Sequence, residues 1–122
     1  MILADTSVWV EHLRTGSERL RSLLYSEQVL CHPLVVGELA CGTLRNRQEI
    51  LSTLRALPEA RVAEHGEVLR FVETRRLHGR GLGWVDVSLL ASALLTGCTL
   101  WTLDKPLRKA AAELRRWTPS HQ

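Results

Sequence analysis

The chain has 122 residues, 45% of them hydrophobic and 24% charged, with a formal net charge of +3 and a pI near 9.1. That length carries one compact domain, taken as residues 1–122, and the composition excludes a disordered or low-complexity chain. The charge permits an anionic partner without demanding one. Fourteen of the sixteen basic residues are Arg, the side chain that best forks onto phosphate, and codon use in a GC-rich genome explains that bias equally well.

Met1 to Ala4 is a short apolar run that stops at Asp5 and passes into Thr6 and Ser7. It reads as a buried strand followed by a helix carrying Val8, Trp9 and Leu13. Gly16-Ser17 breaks that helix, and Leu20, Leu23 and Leu24 mark a second one over 17–26. Val29-Leu30-Cys31 is the next strand. His32-Pro33 opens a helix, since Pro suits a first helical turn, and that helix carries Leu34, Val35, Glu38, Leu39 and Cys41. A further helix is expected over 46–57, stopped by Pro58, and Arg61-Val62-Ala63 reads as a weak third strand.

Val68, Leu69, Val72 and Leu77 support a helix over 64–78, and the glycines of 79–83 make a flexible loop. Asp86 then starts a very apolar helix, 87–95, closed by Gly97. A strand over 99–103 ends at Asp104, and the last helix covers 106–116. Strands alternating with helices of this length indicate an α/β fold with a parallel sheet.

The longest apolar tract, 87–101, is too short to span a bilayer, and Asp5 interrupts the N-terminal one, so a cytoplasmic protein without a membrane segment is expected. Cys31, Cys41 and Cys98 are odd in number and far apart, which fits small buried apolar residues in a reducing compartment.

Only three Asp residues exist, Asp5, Asp86 and Asp104. Asp5 and Asp104 end expected strands, the edge where α/β sheets bind ligands, and Asp86 stands at a helix mouth. Each also suits a helix N-cap. Their apolar surroundings favour a site, because a buried ionised carboxylate needs a counter-charge. Glu38 sits between Val35-Val36 and Leu39-Ala40, apart from the mixed-charge stretches holding most other Glu residues, although an exposed position on an amphipathic helix accounts for it too. Two like charges about 4 Å apart repel by roughly 4 kcal/mol at an effective dielectric of about 20. A hard divalent cation removes that repulsion, and an all-carboxylate set favours Mg²⁺ or Mn²⁺ over Zn²⁺. Phosphodiester hydrolysis by a metal-activated water suits such a set.

Met-Ile-Leu-Ala-Asp5-Thr-Ser-Val-Trp resembles the opening strand of PIN domains. Val-Val-Gly-Glu38-Leu-Ala-Cys-Gly, Gly-Trp-Val-Asp86-Val-Ser-Leu-Leu and Leu-Trp-Thr102-Leu-Asp104 resemble that family's other acidic motifs, in the family's order. The size matches the VapC toxins of bacterial toxin–antitoxin pairs. The resemblance implies a parallel sheet of four or five strands flanked by helices. It implies endoribonucleolytic cleavage of structured RNA, transfer or ribosomal, leaving 3′-hydroxyl and 5′-phosphate ends. It further implies a VapB-like antitoxin and homodimers or toxin–antitoxin hetero-oligomers. On the matching positions, Asp5, Glu38, Asp86 and Asp104 form the metal-binding and catalytic quartet. Thr6 and Ser7 would orient Asp5 or a water, and Thr102 would do so for Asp104.

Arg75, Arg76 and Arg80, before the Gly-rich loop, are candidates for RNA contact, as is Trp84 beside that loop; a solvated helix end explains the arginines as well. Arg45 and Arg47 carry the same ambiguity. Trp9 and Trp101 lie in apolar runs and belong to the core. Two other readings stand beside the nuclease. A phospho-receiver also gathers acids at strand ends, but it leaves Glu38 without a role and lacks an Asp between Asp5 and Asp86. A PIN-like module that binds without cleaving would not need the full quartet.

Overall fold

A computed structural model describes residues 1–114. Three short parallel strands, β1 (Ile2–Ala4), β2 (Val29–Leu30) and β3 (Thr99–Trp101), form a sheet in the order β2-β1-β3. Ile2 pairs with Val29 on one side and Thr99 on the other, and Ala4 reaches Trp101. Seven helices surround the sheet among the described residues: α1 (Thr6–Thr15), α2 (Glu18–Tyr25), α3 (Pro33–Cys41), α4 (Arg47–Ala56), α5 (His65–Arg75), α6 (Trp84–Thr96) and α7 (Lys105–Glu113). Parallel strands need long crossovers, and the helices supply them.

The core follows the apolar pattern. Leu3 and Ala4 of β1 and Leu100 of β3 are fully buried, and Leu20, Val35, Leu89, Leu90, Leu107 and Ala110 close over them. The helix α6 is buried continuously from Val87 to Ala93, which explains why it reads as nearly unbroken apolar sequence. Trp9 and Trp101 are core residues, as expected.

Among the described residues the sheet has three strands rather than four or five. The stretch Arg61-Val62-Ala63 forms no strand. Near it, among the described residues, is an isolated parallel bridge between Cys31 and Glu59. Two amides of the stretch go instead to side chains of α6, Arg61 N to Thr96 Oγ1 at 2.9 Å and Ala63 N to Ser92 Oγ at 3.3 Å. Helix α5 stops at Arg75 because Arg76 adopts a left-handed conformation, with φ 52°. Cys41 is exposed rather than buried, whereas Cys31 and Cys98 are buried. Part of the expected last helix, Arg115 and Arg116, lies outside the described residues, as do Trp117 and His121.

Candidate active site

Because the strands are parallel, Asp5 and the segment ending in Asp104 leave adjacent strands at the same sheet edge. Asp5 follows β1 directly and its amide donates to Trp101 O at 3.0 Å, extending the pairing to the lip of the site. It is also the N-cap of α1. Its Oδ1 accepts from Ser7 N at 2.8 Å, from Val8 N at 3.4 Å and from the Ser7 hydroxyl. Its Oδ2 accepts from the Thr102 hydroxyl at 2.6 Å. Asp104 caps α7, with Oδ2 accepting from Leu107 N at 3.0 Å.

Asp86 departs from its expected place. Helix α6 begins two residues earlier, at Trp84, with Gly83 as the cap, so Asp86 lies inside the first turn. From there its Oδ2 reaches back to accept from Gly83 N at 2.9 Å. Capping and siting are therefore compatible: one oxygen of each Asp is committed to a helix N-terminus. Glu38 is exposed to solvent on α3, yet it is not a bare surface residue, because the Thr6 hydroxyl donates to its Oε1.

Two supporting hydroxyls act on other acids than the motifs suggested. Thr6 holds Glu38 rather than Asp5. Thr102 donates to Asp5 and meets Asp104 only through the backbone, accepting from Asp104 N at 3.0 Å. Ser7 keeps its expected partner and also accepts from Leu103 N at 3.0 Å.

Burial pushes the Asp5 carboxyl above its usual range, against the lowering pull of the hydrogen bonds from Ser7, Thr102 and Val8. Asp86 is also raised, first by burial. Its hydrogen bond from Gly83 opposes the rise, and the charges of Asp104, Asp5 and Glu38 add to it. The charges of the three other acids thus all bear on Asp86.

Among the described residues, no three His, Cys, Asp or Glu side chains are drawn together into a closed set of metal ligands. The acids stand within electrostatic reach of one another instead. Their donor chemistry still fits a hard divalent cation. Asp86 Oδ1, Glu38 Oε2 and Asp104 Oδ1 have no hydrogen-bond partner among the described residues, while the opposite oxygen of each is anchored. Carboxylate oxygens of this kind are what such ions bind.

A cavity of about 690 Å³ adjoins Glu38, with Thr6 also on its wall, Leu39 and Ile50 among its apolar lining, and Arg14 and Arg45 beside them. Arg14 was not distinguishable in the sequence from any other exposed helix cation. Arg47 is structural: it donates to Ala40 O at 2.9 Å, at the end of α3. Of the candidates for RNA contact, Arg75 and Arg76 are exposed, and Trp84 is 42% exposed with its ring against His65, 4.7 Å between centroids. Arg80 is held by Glu113 at 2.8 Å, which ties the Gly-rich loop to α7. In that loop Gly81 has φ +77° and lies against Pro106, where a side chain would be strained.

The family model of the PIN domain matches residues 2–113, from β1 to the last residue of α7. The chain belongs to the PIN domain family. The phospho-receiver reading does not survive that assignment. The chain is also similar to Ribonuclease VapC32 of Mycobacterium tuberculosis, from strain CDC 1551 / Oshkosh and from strain ATCC 25618 / H37Rv. In both cases the identity is 54% over 114 residues, which cover 93% of this chain and 92% of the relative.

Proposed function

We propose that this PIN domain is a cytoplasmic Mg²⁺- or Mn²⁺-dependent endoribonuclease, the toxin of a VapBC-type toxin–antitoxin pair. The observation that carries the reading is that Asp5 and Asp104 leave adjacent parallel strands and are joined through the Thr102 hydroxyl, with the charges of both and of Glu38 bearing on Asp86. The relative named a ribonuclease, similar over nearly the whole chain, supplies the reaction class.

Asp5, Glu38, Asp86 and Asp104 would hold the ion. When bound, it supplies activation of a water and neutralisation of charge on a phosphodiester. The protein's own part is orientation. Ser7 and Thr102 fix both oxygens of Asp5, so its carboxylate is set before anything binds. Gly83 N and Leu107 N do the same for one oxygen of Asp86 and of Asp104. Thr6 holds one oxygen of the longer and more flexible Glu38. Pre-set charge of this kind costs no reorganisation when the substrate arrives.

The substrate is a structured RNA, transfer or ribosomal, cut to leave 3′-hydroxyl and 5′-phosphate ends. Arg75, Arg76 and Trp84 remain candidates for holding it. A VapB-like antitoxin would block the acids, in a homodimer or a toxin–antitoxin hetero-oligomer. The test is cleavage of structured RNA by the purified protein in Mg²⁺ or Mn²⁺, abolished by EDTA and restored by added metal. Cleavage undiminished in chelator sinks the mechanism. RNA or antitoxin binding without cleavage in any divalent metal would establish the binding-module alternative.

A further inference from the structure

His32 is 1% exposed, and the metal site does not use it. It is the N-cap of α3, with Nδ1 accepting from Leu34 N at 3.1 Å. An accepting Nδ1 is unprotonated, so the ring hydrogen is on Nε2. That nitrogen is 3.0 Å from Ser92 Oγ, on α6, and therefore donates to it. Ser92 is fully buried, and its oxygen also takes the amide of Ala63. Burial holds the His32 ring toward its neutral form, which this pattern requires.

The bond joins the helix that carries Glu38 to the helix that carries Asp86. His32 lies six residues before Glu38 and Ser92 six residues after Asp86, so it sits about 9 Å along each helix from the acid. The main packing of α3 is against α4 and α1, whereas α6 packs on α5 and β3. The spacing of the two acids is therefore not set by broad contact between their own helices.

We infer that the His32–Ser92 hydrogen bond is a clamp that sets the spacing between Glu38 and Asp86, with His32 a positioning residue for the acidic site. The part that concerns metal rests on the proposed nuclease reading; the part that concerns helix spacing does not. The clamp acts through geometry alone. His32 touches neither acid, and its loss leaves all four carboxylates present but lets α3 settle differently against α6.

The test separates capping from clamping. His32→Asn keeps a good N-cap for α3 but is too short to reach Ser92. Ser92→Ala removes the acceptor from the other side. Exposed Cys41 at the end of α3 and a Leu95→Cys substitution on the exposed side of α6 would carry spin labels, in a protein whose Cys31 and Cys98 are buried. The parent should give one narrow label-to-label distance without metal, and each clamp variant a broadened or shifted one. In calorimetry the variants should bind Mn²⁺ about tenfold more weakly, and their RNA cleavage should recover at high Mg²⁺. The two losses should not add in the double variant, as expected for partners in one bond. Leu20→Ala, a core change away from the clamp, should lower the melting temperature without moving the metal affinity. Label distances that superimpose on the parent's overturn the clamp. So does a parent-like Mn²⁺ affinity in both variants. A parent that binds no Mn²⁺ sinks the metal reading instead, and the label distances still decide the clamp.

Discussion

Thr102 Oγ1 donates to Asp5 Oδ2 at 2.6 Å and with the same oxygen accepts the amide of Asp104 at 3.0 Å. One fully buried hydroxyl thereby joins the acid after β1 to the acid after β3. Thr102→Val, nearly the same shape, removes both bonds. Leaving buried partners unsatisfied costs roughly 1–3 kcal/mol, so the melting temperature should fall and RNA cleavage should drop, because Asp5 loses its second anchor. Thr102→Ser should keep most of both. Equal behaviour of the two variants in thermal melts and cleavage assays would remove Thr102 from the site.

For Asp86 the expected outcome has opposite signs in stability and activity. Asp86→Asn retains an oxygen for Gly83 N and removes a charge that three other carboxylates oppose. Without metal the variant should melt at the parent's temperature or above it. Cleavage should fall on the order of a hundredfold or more, since electrostatic stabilisation around a metal carries much of the barrier reduction. A clear loss of stability with normal cleavage would mean that Asp86 only serves the first turn of α6.

The pH dependence of stability should carry the signature of His32. Its folded-state pKa lies below the ordinary value of 6.5, so the unfolded chain takes up a proton before the folded one does. Its contribution is therefore complete above 6.5 and is lost as the pH falls from there through the lowered value. Asp5 and Asp86, both raised, act in the opposite sense and weaken the metal-free protein as pH rises through their range. Subtracting the pH profile of His32→Asn from that of the parent cancels the carboxylates. The difference should decline on acidification below about pH 6.5, and a flat difference would show that the ring is not held neutral.

Much of this was legible in the chain. Apolar runs ending at Asp5 and Asp104 identify strands, because a short buried parallel strand has few polar residues, and the Gly-rich loop before α6 stood out plainly. Arg61-Val62-Ala63 misled because two of its amides bond to Thr96 and Ser92 on α6 rather than to a neighbouring strand, a tertiary outcome no local pattern records. The hydroxyl partners were exchanged for a similar reason. Proximity in sequence suggested Thr6 for Asp5 and Thr102 for Asp104, whereas α1 turns Thr6 toward Glu38 on α3. His32 did carry a signal, a polar side chain directly before Pro33 at a helix start, but its bond to Ser92 spans sixty residues.

The most direct test of the central claim compares two glutamates. Glu38 receives the Thr6 hydroxyl and acts on Asp86. Glu49 lies exposed in the first turn of α4. Cleavage of structured RNA would be measured against Mg²⁺ concentration for Glu38→Gln and Glu49→Gln. If the four acids share a metal, Glu38→Gln should shift the curve to higher Mg²⁺ and cut the maximal rate sharply, while Glu49→Gln follows the parent. Superimposable curves for the two variants would contradict the account, because Glu38 would then be no more than an exposed residue of α3.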